Sequence, residues 1–339
     1  MPDVESISVF PKNSVETDVR KLLTSLNPNT LGILCLIGAL GSLTISDSII
    51  KWISDDMPLH QITFWRSCFA MIAVMLIVQL EGGLARLKTE RPVLHLLRGS
   101  MLVLANMFFF VGLAAMPLAE TVVLFYTAPL FICMLSQPVL GEKVGVRRWF
   151  VIVVGMLGAI VMLRPGSDVF RMVSLLPIMA ALCYAAMTMM TRKLGIRESG
   201  GALTFYIQIA FLLISSAIGL LIGDGKFDIY DNQSMHFLLR AWYWPSLVQF
   251  QLLLICGLIV AFGGYLLSQA YRLGEAPIVA PFEYASLPFA LIVGYYLWGD
   301  WPDWPAFVGT GLITGSGLLV MYLENRDQKK ALLQAHIKG

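Results

Sequence analysis

Charge is what this sequence has little of. Asp, Glu, Lys and Arg together make up 14% of its 339 residues, against 57% hydrophobic ones, where a soluble domain carries about 25% charged residues. A chain so poor in charge cannot cover itself with a wetted surface, which excludes an ordinary water-soluble globule. Disorder is excluded too, since disordered chains are polar and poor in aromatics. The net charge of +2 leaves no basic footprint for nucleic acid. Cysteine is sparse and odd in number: Cys35, Cys68, Cys133, Cys183 and Cys256 form no CxxC and each lies in an apolar stretch, so a disulfide framework is not expected. Catalytic signatures are missing as well. The histidines His60, His95, His236 and His336 are scattered, with no HExxH pair to hold a metal, and no GxxxxGK[ST] phosphate cradle occurs. No catalytic residue, metal ligand or cofactor is therefore expected. The first 28 residues are polar, with Lys12, Arg20 and Lys21 among acids and prolines, which is not the pattern of a cleaved secretory signal.

What is there is apolar length. Stretches of about 20 apolar residues cross a bilayer core as helices. The sequence predicts ten such spans, at 31–54, 60–80, 94–115, 118–140, 148–164, 172–192, 202–222, 247–271, 276–298 and 304–323. The longest connection, 223–246, holds Asp224, Asp228, Asp231 and the run Trp242-Tyr243-Trp244, and such aromatics suit a membrane–water interface. With ten spans both termini share one side. The tails and even-numbered loops carry 17 Lys and Arg residues, the opposite loops only Arg164, Arg171, Lys226 and Arg240, and Lys51, Arg66 and Arg98 fall inside spans. Basic loops stay cytoplasmic, so both termini are expected inside.

The chain also repeats itself. Leu118-Ala-Glu120 recurs as Leu273-Gly-Glu275, Gly141-Glu142 as Gly299-Asp300, and Gly158-Ala-Ile-Val-Met162 as Gly317-Leu-Leu-Val-Met321. Each offset is close to half the chain, so each half holds five spans. Five is odd, and the second half enters the membrane the other way up, as in many secondary transporters. The expected fold class is an all-α membrane protein of ten transmembrane helices arranged as two inverted five-helix repeats. Its parts are a cytoplasmic tail at 1–29, a first repeat at 30–165, a second at 172–323 and a cytoplasmic tail at 324–339. The glycines Gly155, Gly158, Gly309, Gly311, Gly315 and Gly317 read as packing positions where helices approach closely.

Several stretches carry a resemblance. Phe64-Trp65-Arg66, Leu97-Arg98-Gly99, Ala128-Pro129, the Gly141-Glu142 turn and Ala280-Pro281-Phe282-Glu283-Tyr284 make residues 30–325 similar to the paired EamA domains of the drug/metabolite transporter superfamily. Within it they look most like a bacterial subgroup that includes S-adenosylmethionine and riboflavin uptake carriers. That resemblance implies a secondary carrier of a small organic metabolite in the bacterial inner membrane. S-adenosylmethionine uptake is the first expectation, riboflavin uptake the second, and export of a metabolite, amino acid or drug the alternative. The expected partners are a small-molecule substrate and the lipid bilayer, with a homodimer as a further expectation. A channel fits less well than a carrier, because inverted repeats favour alternating access.

Charges inside spans cost a few kcal/mol each or more, so they pair or line a wet cavity. At about 1.5 Å per residue, Asp47 in span 1 lies ~10 Å below the outer surface and Arg66 in span 2 ~9 Å. The two are expected to pair. Lys51 follows Asp47 by one helical turn, and Glu120 near the outer end of span 4 completes an expected cluster. In the inner half His95 and Arg98 share a face of span 3. Glu283 lies ~12 Å into span 9, a span interrupted by Pro277, Pro281 and Pro288. Because proline loosens a helix and irregular helices tend to surround transporter binding sites, Glu283 and Tyr284 are the leading binding candidates, with Arg98 as an alternative partner for Glu283. Asn106, Tyr126, Gln137, Tyr184, Tyr206, Gln208, Tyr265 and Gln269 are expected to supply polar and aromatic walls.

Overall fold

The computed structural model describes residues 27–54, 56–115, 124–142, 144–163, 175–195, 198–229, 233–298 and positions scattered between 304 and 319. Among the described residues all regular structure is helical. The helices are α1 (Pro28–Ile53), α2 (Leu59–Glu81), α3 (Pro92–Ala115), α4 (Ala128–Leu140), α5 (Val146–Leu163), α6 (Leu175–Gly195), α7 (Gly200–Ile222), the short α8 (Gln233–Leu239), α9 (Leu247–Leu273), the single turn α10 (Ala276–Val279) and α11 (Ser286–Trp298). Two 3-10 segments, Leu84–Leu87 and Ala280–Ala285, stand between α2 and α3 and between α10 and α11. By length and composition α1, α2, α3, α6, α7 and α9 can each cross a membrane.

Local chemistry sets the helix ends. The Asn27 side chain accepts the Asn29 N–H at the start of α1, Ser199 does the same for Ala202 in α7, and Ser246 with Gln249 forms a reciprocal capping box on α9. Each arrangement satisfies donors that a helix start leaves open. α4 ends on Gly141 at φ 74°, whose N–H returns to Gln137 O. That left-handed conformation costs glycine nothing and turns Glu142 back toward the protein.

Span 9 is broken, as its prolines predict. Pro277 sits in the first turn of α10, where its missing N–H is harmless. Pro281 follows four residues later and cannot donate to Pro277 O, so the chain tightens into the 3-10 segment before α11 resumes. Two expectations differ from the structure in extent. Span 4 was placed at 118–140; within it Leu124-Phe125 and Ala128–Leu140 are helical with a turn at Tyr126-Thr127 between them, and residues 116–123, Glu120 among them, lie outside the described residues. The 223–246 connection, read as a loop, contains α8. Half of span 10 also lies outside the described residues.

α1 packs most extensively on α9, α3 on α6, and α2 on both α7 and α9. Small residues permit the approach. A Cβ on Gly32 would stand 2.9 Å from Ala270 O, and one on Gly257 2.6 Å from the Phe69 side chain. Ile33, Leu36, Ile132, Ile152, Met189 and Val279 fill the largest apolar core, between α1, α4, α5, α6 and the broken span. The five cysteines form no disulfide, and Cys133, Cys183 and Cys256 are buried as small apolar side chains.

Candidate functional site

The broken span holds an ionisable group in the interior. Glu283 is 7% exposed. Tyr184 of α6 donates its hydroxyl to Glu283 Oε1 at 2.8 Å, and Tyr271 of α9 donates to the same oxygen at 2.6 Å. Among the described residues no lysine or arginine lies within electrostatic reach of this carboxylate, and no group donates to its Oε2. Arg98 is not its partner. It is fully buried and directs Nε to Thr191 Oγ1 at 2.6 Å, one terminal nitrogen to Leu203 O at 2.7 Å and the other to Ser268 Oγ at 3.3 Å. It thereby fastens α3 to α6, α7 and α9.

Tyrosines surround Glu283 because the elements that carry them converge on the 3-10 segment. Ser286 Oγ donates to Glu283 O at 2.9 Å, which spends its only hydrogen, so the 2.6 Å contact between Tyr126 and Ser286 has the tyrosine as donor. The Tyr284 hydroxyl donates to Tyr126 O at 3.2 Å, and the two rings lie 5.8 Å apart. Tyr284 is buried and rests on Gly155, where a Cβ would stand 2.5 Å from its ring. Gly155 is thus a packing position that also seats the site. Half-buried Phe125 stacks near Tyr184 at 5.8 Å and Phe109 at 5.4 Å, and Phe110 continues the wall to Phe237 of α8.

The second set of charges adjoins the first. Tyr126 lies within electrostatic reach of both Glu283 and Asp47, and Asp47 is within reach of Arg66. Asp47 is exposed although it lies about two turns inside α1, while Ser46 on the next position is buried against Cys256 at 3.3 Å. The carboxylate therefore opens onto accessible space beside Tyr126. Asp47 and Arg66 make no direct ion pair among the described residues. Instead the guanidinium lies 5.5 Å from the Phe211 ring centre, and its Nε is buried without a hydrogen-bond partner. The side chain of Lys51, like Glu120, lies outside the described residues.

Other expected wall residues go elsewhere. Asn106 turns back to Leu102 O within its own helix. Tyr206 donates to Leu87 O and stacks on His95 at 4.2 Å. Tyr265 donates to Glu81 at 2.9 Å and accepts from Gln269. Gln137 is exposed, and Gln208 is buried in α7 with Oε1 unpartnered. Tyr206, Tyr265 and Gln269 belong to a polar network at one end of the bundle. There Glu142 accepts from Arg192 Nε and from the Ala276 N–H, both at 2.8 Å, and Arg192 also reaches Arg272 O. Asn29 accepts the Glu275 N–H, and Glu198 takes Thr89 at 2.6 Å with His95 at 3.6 Å. Neither Tyr271 nor Glu142 was legible as a site residue. The first is a lone tyrosine at a helix end, and the second stood out only as part of a turn.

The EamA-like transporter family model matches residues 30–164 and again 171–322. The chain belongs to that family. It is thus a multi-pass membrane transporter of the drug/metabolite type and not an enzyme. Similar proteins include an S-adenosylmethionine uptake transporter of Rickettsia prowazekii, 27% identical over 87% of this chain and 94% of that protein. A riboflavin transporter of Vibrio cholerae is 28% identical over 89% and 97%, and the pseudopaline exporter CntI of Pseudomonas aeruginosa 25% over 83% and 93%. A solved crystal structure with 17% identity superposes with a TM-score of 0.71, covering 87% of this chain and 98% of its own, which establishes the shared fold.

Proposed function

We propose that this EamA-like transporter is a secondary carrier of the bacterial inner membrane that takes up a small organic metabolite by alternating access, with S-adenosylmethionine the first candidate and riboflavin the second. The observation that carries the reading is the convergence of Glu283, Tyr184, Tyr271, Tyr126, Asp47 and Arg66 from both halves of the chain on one region inside the bundle. Relatives named as an S-adenosylmethionine uptake transporter and a riboflavin transporter support these two candidates. The exporter relative keeps export as the alternative direction.

The carrier has ten transmembrane helices in two inverted repeats, at 30–165 and 172–323, with both termini cytoplasmic. The doubled family match supports the two units. Helix pairing supports their relation. α1 packs on α9 as α3 packs on α6, α2 on α9 as α7 on α3, and α4 on α6 as the broken span on α1. Each pair is exchanged with the other when the first four spans trade places with spans six to nine. Uptake of labelled S-adenosylmethionine and riboflavin into vesicles containing the protein is the test. Saturable uptake of either compound is expected; if neither is transported or competes, the substrate reading falls. A phosphatase fused at the C-terminus should be inactive, and activity there would place that terminus in the periplasm.

A further inference from the structure

We propose that the Glu283 site selects its substrate by positive charge, holding a sulfonium or quaternary ammonium centre between the carboxylate and the rings of Tyr126, Tyr184 and Phe125. The proposal rests on the carrier reading and narrows it to a class of substrate.

A carboxylate this deep costs a few kcal/mol or more unless something compensates it, and the described residues around it supply neutral hydroxyls. Both donors converge on Oε1, from Tyr184 at 2.8 Å and Tyr271 at 2.6 Å. Among the described residues no group donates to Oε2 and no cation lies within reach. The buried cation Arg98 has directed its nitrogens to Thr191, Leu203 and Ser268. A cationic ligand would supply that compensating charge.

The surroundings decide what kind of cation that is. A metal ion wants several oxygen ligands, and here the neighbouring hydroxyls face the carboxylate as donors. Aromatic faces instead attract a large, weakly hydrated organic cation through the ring quadrupole. Tyr126 is fixed through Ser286 and Tyr284, and Phe125 lies between Tyr126 and Tyr184 with ring separations of 6.4 and 5.8 Å. These rings are half-buried rather than sealed. Asp47, exposed and within reach of Tyr126, extends the negative field toward the accessible side.

Two pairs of probes, each differing in charge with little change of shape, test this on the purified full-length chain, with thermal stability as readout. They are S-adenosylmethionine against its neutral thioether S-adenosylhomocysteine, and phenyltrimethylammonium against tert-butylbenzene. A ligand that binds only the folded state must stabilise it. In at least one pair the cation is expected to bind roughly tenfold tighter than its neutral partner, with the preference erased by Glu283→Gln. Tyr184→Phe keeps the ring and removes one hydroxyl, and it should weaken the preference even where the glutamine variant fails to fold. A preference absent from both pairs overturns the proposal, as does one that persists in Glu283→Gln or is untouched by Tyr184→Phe. Saturable uptake of a neutral metabolite without any preference for cations would leave the carrier standing and sink only the charge selection.

Discussion

Glu283 carries the most weight of any single side chain. Glu283→Gln keeps the shape and still accepts from Tyr184 and Tyr271, but it removes the charge. The variant is expected to fold, reach the membrane and lose transport at least tenfold, whereas Glu283→Asp should retain part of it with a shorter reach. Normal uptake by the glutamine variant would reduce Glu283 to a packed core residue. Asp47 and Arg66 stand within electrostatic reach but without a direct ion pair, so each alanine variant should impair transport. Their double-mutant cycle should depart from additivity by about 1 kcal/mol, and strict additivity would show that the two charges act independently. Glu283 and Tyr284 were legible because an acid in a proline-interrupted apolar span is anomalous by itself. Tyr271 was not, because a tyrosine at a helix end has many uses and only its distance of 2.6 Å from Glu283 Oε1 reveals this one.

Among the elements, the broken span positions the carboxylate, and two of its three prolines, Pro277 and Pro281, differ in consequence. Pro277 occupies the first turn of α10, so Pro277→Ala should leave uptake within about twofold of the parent, since no hydrogen bond is gained or lost there. Pro281 enforces the break. Pro281→Ala restores a donor to Pro277 O, lets an α-helix run through Ala280–Ala285 and rotates Glu283 away from Tyr184 and Tyr271. That variant should be as stable as the parent or more so, with transport reduced several-fold; retained transport would mean that the break does not set the geometry. The apolar runs made the long helices readable, since length and composition alone require them. The interruption of span 4 and the presence of α8 were not readable. One is settled by the turn at Tyr126-Thr127 packing against span 9, and the other is a seven-residue helix too short to show a period.

At the scale of the molecule, polar contacts between the two halves concentrate at the end that holds Glu142, Arg192, Arg272, Glu81 and Glu198, which is the cytoplasmic end in the proposed topology. Glu142 is the centre of this latch, since one carboxylate from the first half engages both Arg192 and the start of α10 in the second. The pairing is also unequal between the halves. α9 packs on α6 and α7, while the corresponding pairs of α3 with α1 and α2 touch marginally. A carrier built from two equivalent units becomes accessible from one side by just such an inequality, and the latch is expected to hold its own end closed. Glu142→Ala removes the ion pair and leaves the Ala276 N–H and Arg192 without their acceptor. Charge-assisted hydrogen bonds are worth about 1.5–3 kcal/mol each, so their loss should shift the equilibrium toward opening at that end by tenfold or more. Ser268, 2% exposed beside Arg98, reports the change. In an otherwise cysteine-free chain, Ser268→Cys should react slowly with a membrane-impermeant thiol reagent applied from the cytoplasmic face. It should react about tenfold faster once Glu142→Ala is added. Equal rates in the two backgrounds would mean that the Glu142 network does not hold this end shut, and closure would then rest on the apolar packing of α6, α7 and α9.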